Sequence, residues 1–85
     1  MTYSIELKKS AKKSLSVLPK HLALVIQILI DELSENPYPH DCKKLVGSEH
    51  TYRIRSGNYR VIYSIFDNQL IVQIIKIGHR KDIYK

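Results

Sequence analysis

Tyr3, Ile5 and Leu7 alternate with Thr2, Ser4 and Glu6, the period of a short, half-buried strand. The period then lengthens. Ala11, Leu15 and Leu18 fall at helical spacing among Lys8, Lys9, Lys12 and Lys13. Pro19 cannot occupy a helix interior, so it ends a first helix or opens a second. From Pro19 to Ser34 the apolar stripe Leu22, Val25, Ile26, Leu29 and Leu33 runs in steps of three and four, one face of an amphipathic helix. Asn36, Pro37 and Pro39 stop it. The two helices are expected to form a hairpin joined around Leu18–Lys20.

The second half reads as strands. Tyr52 and Ile54 alternate with Arg53 and Arg55, and Ser56-Gly57-Asn58 is a turn signal. Tyr59 to Phe66 is rich in β-branched and aromatic residues. Asp67-Asn68 is a second turn, and Gln69 to Ile77 is another strand. The expected fold is α+β: an N-terminal strand, a helical hairpin, then an antiparallel meander, in the order β-α-α-β-β-β. Two helices must cover one face of such a sheet, leaving the other at least partly open.

The length of 85 residues allows one domain, taken as residues 1–85. A chain this short buries about 60–65% of its unfolded surface. Its core is small, a deep substrate cavity is not expected, and function should sit on an open surface. No apolar run reaches the ~18 residues of a membrane span, and Met1 to Lys9 holds no apolar core of a secretory signal. The chain therefore reads as cytoplasmic. Cys42 is the single cysteine, so it reads as an inert thiol with no disulfide partner. No metal-ligand spacing, glycine-rich phosphate loop or serine nucleophile motif is present, and no cofactor is expected. His21, His40 and His50 stand in scattered contexts and receive no role.

Charge sharpens this picture. The net charge is +6, from 14 Lys and Arg against 8 Asp and Glu, which suits a polyanionic partner. Alternation sends Arg53 and Arg55 to one face, opposite Tyr52 and Ile54, and the turn can bring Arg60 beside them. His79, Arg80 and Lys81 end the last strand, and Tyr84 follows closely. Three segments are thus expected to converge on one open surface. An exposed strand often carries an arginine for solubility alone. Like charges opposed in a sheet are destabilising, however, so three arginines on neighbouring strands point to an anion.

Guanidinium groups bind two phosphate oxygens at once. Fixed in advance, they would stabilise the dianionic, five-coordinate phosphorus formed when an RNA 2′-hydroxyl attacks its own phosphate. A stacking aromatic, Tyr84 or Tyr52, could hold one base. Arginine has a pKa above ~12, stays protonated at neutral pH and cannot be the general base. Proton transfer falls to Tyr84, His79 or a lysine such as Lys81.

The runs Lys44-Leu45-Val46-Gly47, Tyr52-Arg53-Ile54-Arg55-Ser56-Gly57-Asn58-Tyr59-Arg60-Val61-Ile62-Tyr63 and Gly78-His79-Arg80-Lys81-Asp82-Ile83-Tyr84 resemble the RelE/ParE superfamily of toxins over essentially the whole chain. The resemblance implies the β-α-α-β-β-β fold and a toxin of a type II toxin–antitoxin pair. It also implies ribosome-dependent cleavage of messenger RNA in the A site. Its implied partners are a cognate antitoxin with an acidic, partly disordered segment, with a heterotetramer as the expected assembly, together with the ribosome and messenger RNA. By position it assigns catalytic roles to Arg60, Arg80, Tyr84, Arg55, Arg53 and His79, and RNA binding to Arg53, Arg55 and Lys81. Some members carry lysines at the positions of Arg53 and Arg55, one of them serving as the base. The alternative within the same superfamily is a ParE-like inhibitor of DNA gyrase without nuclease activity. A third possibility is a module that only binds an antitoxin.

Overall fold

The computed structural model describes residues 2–82. Its elements are β1 (Ser4–Leu7), α1 (Lys9–Ser16), α2 (Lys20–Glu35), β2 (Lys43–Lys44), β3 (Thr51–Ser56), β4 (Tyr59–Phe66) and β5 (Ile71–His79). The architecture is the expected α+β arrangement, with one further strand, β2. That strand is two lysines long and lacks the apolar alternation that makes a strand visible in sequence.

Pro19 is the N-cap of α2, and its carbonyl accepts the amide of Ala23 at 2.9 Å. Proline at this position loses no intrahelical donor. Asn36 closes the helix in extended conformation (φ −145°), as a residue preceding proline prefers. The buried face of α2 carries Ile26, Ile30 and Leu33. Val25, assigned to that face from its spacing, is 49% exposed, whereas Ile30 is fully buried. The helix is apolar on more than one side, so spacing alone did not select the inner face.

The sheet order is β1-β5-β4-β3-β2. The meander pairs are antiparallel, and β1 lies parallel to β5, so the first and last strands are neighbours. Gly57 takes φ +59° at the first turn position between β3 and β4, the glycine placement of a tight hairpin. The core lies between the helices and one sheet face and gathers Ala11, Ile26, Ile30, Leu33, Ile54, Val61, Tyr63, Ile65, Val72, Ile74 and Ile77. Cys42 packs against its margin. Tyr63 is fully buried and its hydroxyl donates to the Pro37 carbonyl at 2.9 Å. Burial pushes its phenol far above the ordinary tyrosine value, and the adjoining Cys42 thiol adds to the shift.

A β-bulge decides which side chains the open face presents. Ile62 pairs with Lys76 but Tyr63 pairs with Ile74, so Ile75 is the extra residue. Strict alternation from Val72 and Ile74 would put Lys76 in the core. The bulge reverses the parity: Ile77 enters the core at 3% exposure, and Lys76 and Gly78 move to the open face.

Candidate functional site

The open face is read directly from the register. Arg55 stands opposite Arg60, and Arg60 stands opposite Gly78. Two residues further along the strands, Lys43, Arg53, Ile62 and Lys76 form a second row. The sheet thus brings together Arg53, Arg55 and Arg60, as alternation requires. Arg60 is half-buried, and its guanidinium donates to the carbonyls of Tyr59 (3.2 Å) and Gly57 (3.4 Å). The β3–β4 turn therefore holds the guanidinium end of this side chain. Arg53 is also half-buried, with its Nε out of contact with solvent. Arg55 is exposed. Beside Arg53 and Arg55 the sheet edge forms an open cup of about 390 Å³, lined by His40, Asp41, Lys43, Arg53 and Arg55.

Arg80 leaves β5 at the Arg55–Arg60 end of the face. Its amide donates to the Asn58 carbonyl at 2.7 Å, continuing the pairing one step beyond the Tyr59–His79 pair, and its side chain is exposed. Lys81 is exposed in the following turn. Tyr84 lies outside the described residues.

Two expected members of the site are turned away from it. His79 pairs with Tyr59, on the helix side of the sheet, and its ring meets that of Tyr59 edge-on at 5.5 Å. Its Nδ1 accepts the Lys81 amide at 3.2 Å, which fixes the turn carrying Arg80 and Lys81. The bulge at Ile75 is the reason, because it reverses the parity of everything after Ile74. Tyr52 is likewise on the helix side, stacked on Tyr63 at 6.0 Å and met edge-on by Tyr38 at 5.5 Å. Neither ring can join the arginines without breaking those contacts.

Sequence reasoning missed Lys43 and Lys76. Lys43 belongs to a strand too short to recognise, and only the bulge aims Lys76 outward. At the far end of the sheet, Asp67 accepts both Tyr3 and Tyr38 hydroxyls at 2.6 Å. These two donors hold its carboxyl below the usual range, the Tyr3 bond first. This cluster ties β1, the segment after α2 and the β4–β5 turn together.

The family model for the ParE toxin of type II toxin–antitoxin systems matches residues 5–84. The putative toxin RelE1 of Methanocaldococcus jannaschii is 36% identical, over all of this chain and 98% of its own length. The toxin RelG of Mycobacterium tuberculosis is 33% identical, over all of this chain and 99% of its own. Among solved structures, the archaeal RelE–RelB complex from Pyrococcus horikoshii superposes with a TM-score of 0.84 at 34% identity, covering 96% of this chain and 99% of the other. The RelBE2 toxin–antitoxin complex from Mycobacterium tuberculosis gives the same TM-score at 27% identity, covering 96% and 95%.

Proposed function

The chain belongs to the RelE/ParE superfamily of type II toxins, and from that premise we propose that it is a ribosome-dependent endoribonuclease that cuts messenger RNA in the A site. The observation that carries this reading is the Arg55–Arg60 pair, with Arg53 on the adjacent row of the same open face. Opposed like charges weaken a sheet, and an anion bound between them removes the penalty.

In the proposed reaction an RNA 2′-oxygen bonds to the adjacent phosphorus and loses its proton. The bond from phosphorus to the 5′-oxygen of the next nucleotide breaks, and that oxygen takes up a proton. The products are a 2′,3′-cyclic phosphate and a free 5′-hydroxyl. Arg60 and Arg80 bind the phosphate oxygens as charge accumulates, and Arg53 and Arg55 hold the flanking backbone. The proton acceptor is Tyr84 or Lys81. His79 acts through the backbone, by fixing the turn that carries Arg80.

The described residues contain no helix long and apolar enough to cross a membrane. α2 instead exposes Leu24, Val25 and Ile28, at 57%, 49% and 57%, on one side of the helix. Since related toxins are seen with RelB, we assign this apolar strip to a cognate antitoxin whose acidic segment reaches the basic face.

A second reading, gyrase inhibition, is favoured by the ParE description of the matching family model. Both are tested by the same purified protein. Incubation with ribosomes programmed with an empty A site should cut the message there, leave the same RNA intact when naked, and leave DNA supercoiling by gyrase unaffected. Loss of supercoiling with no cleavage would reverse the assignment.

A further inference from the structure

Behind the Arg55–Arg60 pair runs the second basic row, Lys43, Arg53 and Lys76, broken only by Ile62. It contains no carboxylate, and it crosses four strands from the sheet edge to β5. Ile62 is 8% exposed although it faces outward; it lies between Arg53 and Lys76, whose long aliphatic stems can cover it while their charged ends reach solvent. The two rows are two residues apart along the strands, about 6.6 Å at the usual strand rise. That is about the distance between neighbouring phosphates along an extended single strand. At the Lys43 end the row opens into the cup of about 390 Å³, where Asp41 and His40 offer polar groups beside Lys43 and Arg53.

We propose that this second row is a positioning site for the neighbouring nucleotide of a single-stranded RNA, with Lys43 and Lys76 gripping the phosphate next to the one held by Arg60 and Arg80. The inference rests on the nuclease reading and extends it to residues that reading does not use. The site recognises backbone charge one nucleotide from the cut, so it contributes affinity and register with little base preference. RNA suits the face better than an extended acidic peptide. Such a peptide draws its main-chain hydrogen bonds from a sheet edge, and this surface offers only side chains.

The test uses the full chain and a short single-stranded RNA carrying a 2′-O-methyl group at every position, so that binding is read without cleavage. Fluorescence anisotropy is recorded from low to moderate salt. The Lys43→Ala/Lys76→Ala double variant should bind about tenfold more weakly at low salt, and the slope of log affinity against log salt should fall by about 0.7, the value for one phosphate contact. Lys43→Arg/Lys76→Arg should restore both. Circular dichroism and the melting temperature confirm that the variants fold. Equal affinity and slope in the double variant would overturn the inference. So would unchanged RNA binding combined with weakened antitoxin binding, which would assign the row to the protein partner. A wild-type chain that cuts on ribosomes yet ignores the oligonucleotide would overturn this inference and leave the nuclease reading standing. Failure of both would remove both.

Discussion

Replacing Arg55 by threonine should make the protein more stable and less active at once. Arg55 and Arg60 are directly opposed on β3 and β4, where side chains on one face start about 5 Å apart at Cβ. With guanidinium charges about 6 Å apart, the repulsion is about 0.7 kcal/mol at the dielectric of water and about 2.8 kcal/mol at an effective dielectric of 20. Arg55 is exposed, so the lower figure applies, and threonine is itself a good strand former. A gain of about 0.7 kcal/mol in a domain of this size raises Tm by about 3–6 °C. The gain should appear in thermal unfolding followed by circular dichroism at low ionic strength. It should shrink towards zero near 1 M salt, where the screening length is about 3 Å. Cleavage on programmed ribosomes should fall in the same variant. A melting temperature that drops, or that rises equally at all salt concentrations, would refute the electrostatic account of the pair.

Removing one prearranged donor by Arg60→Ala or Arg80→Ala should slow A-site cleavage by about 10²–10³ and relieve growth arrest at equal expression; full toxicity of both would exclude them from the site. Tyr84→Phe should retain most activity if the ring stacks on a base, while Tyr84→Ala should lose the ~1–3 kcal/mol of such stacking; equal damage from both, measured as single-turnover rates, would make the hydroxyl the proton acceptor. Tyr63→Phe should cost about 1–3 kcal/mol in urea unfolding, because the buried Pro37 carbonyl loses its donor. Asp67 has its carboxyl pKa lowered in the folded state, so its stabilisation is present above the unfolded value of ~3.9 and is lost as pH falls through the folded one. Wild type should therefore exceed Asp67→Asn in stability at neutral pH and converge with it in an acid titration; parallel curves would mean that the two tyrosines do not act through the charge.

The outline of the fold was legible because its signals are local. The alternation of Tyr3–Leu7, the break at Pro19, and the glycine turn after Ser56 each act over a few residues. β4 was read with its observed ends, Tyr59 and Phe66. What stayed hidden depends on partners distant in sequence. The inner face of α2 could not be chosen between Val25 and Ile30 without the sheet beneath it. β2 exists only because β3 offers it an edge. The bulge at Ile75 leaves no compositional mark in a strand rich in isoleucine, yet it reverses the facing of Lys76, Ile77 and His79. The arginine cluster was legible because Arg53, Arg55 and Arg60 all lie on β3 and β4, which pair without a bulge, so simple alternation holds. His79 lies after the bulge at Ile75, and its expected convergence with them failed for that reason.

The parallel pairing of β1 with β5 joins segments 67 residues apart in the chain, from Ser4 to Ile71. Until residues 71–79 have been translated, β1 has no neighbour in the sheet, and β4 lacks its partner on that side. Contacts of such long sequence separation form late and slow folding. Completion of the arginine face therefore waits on the pairing of two strands that lie far apart in the chain.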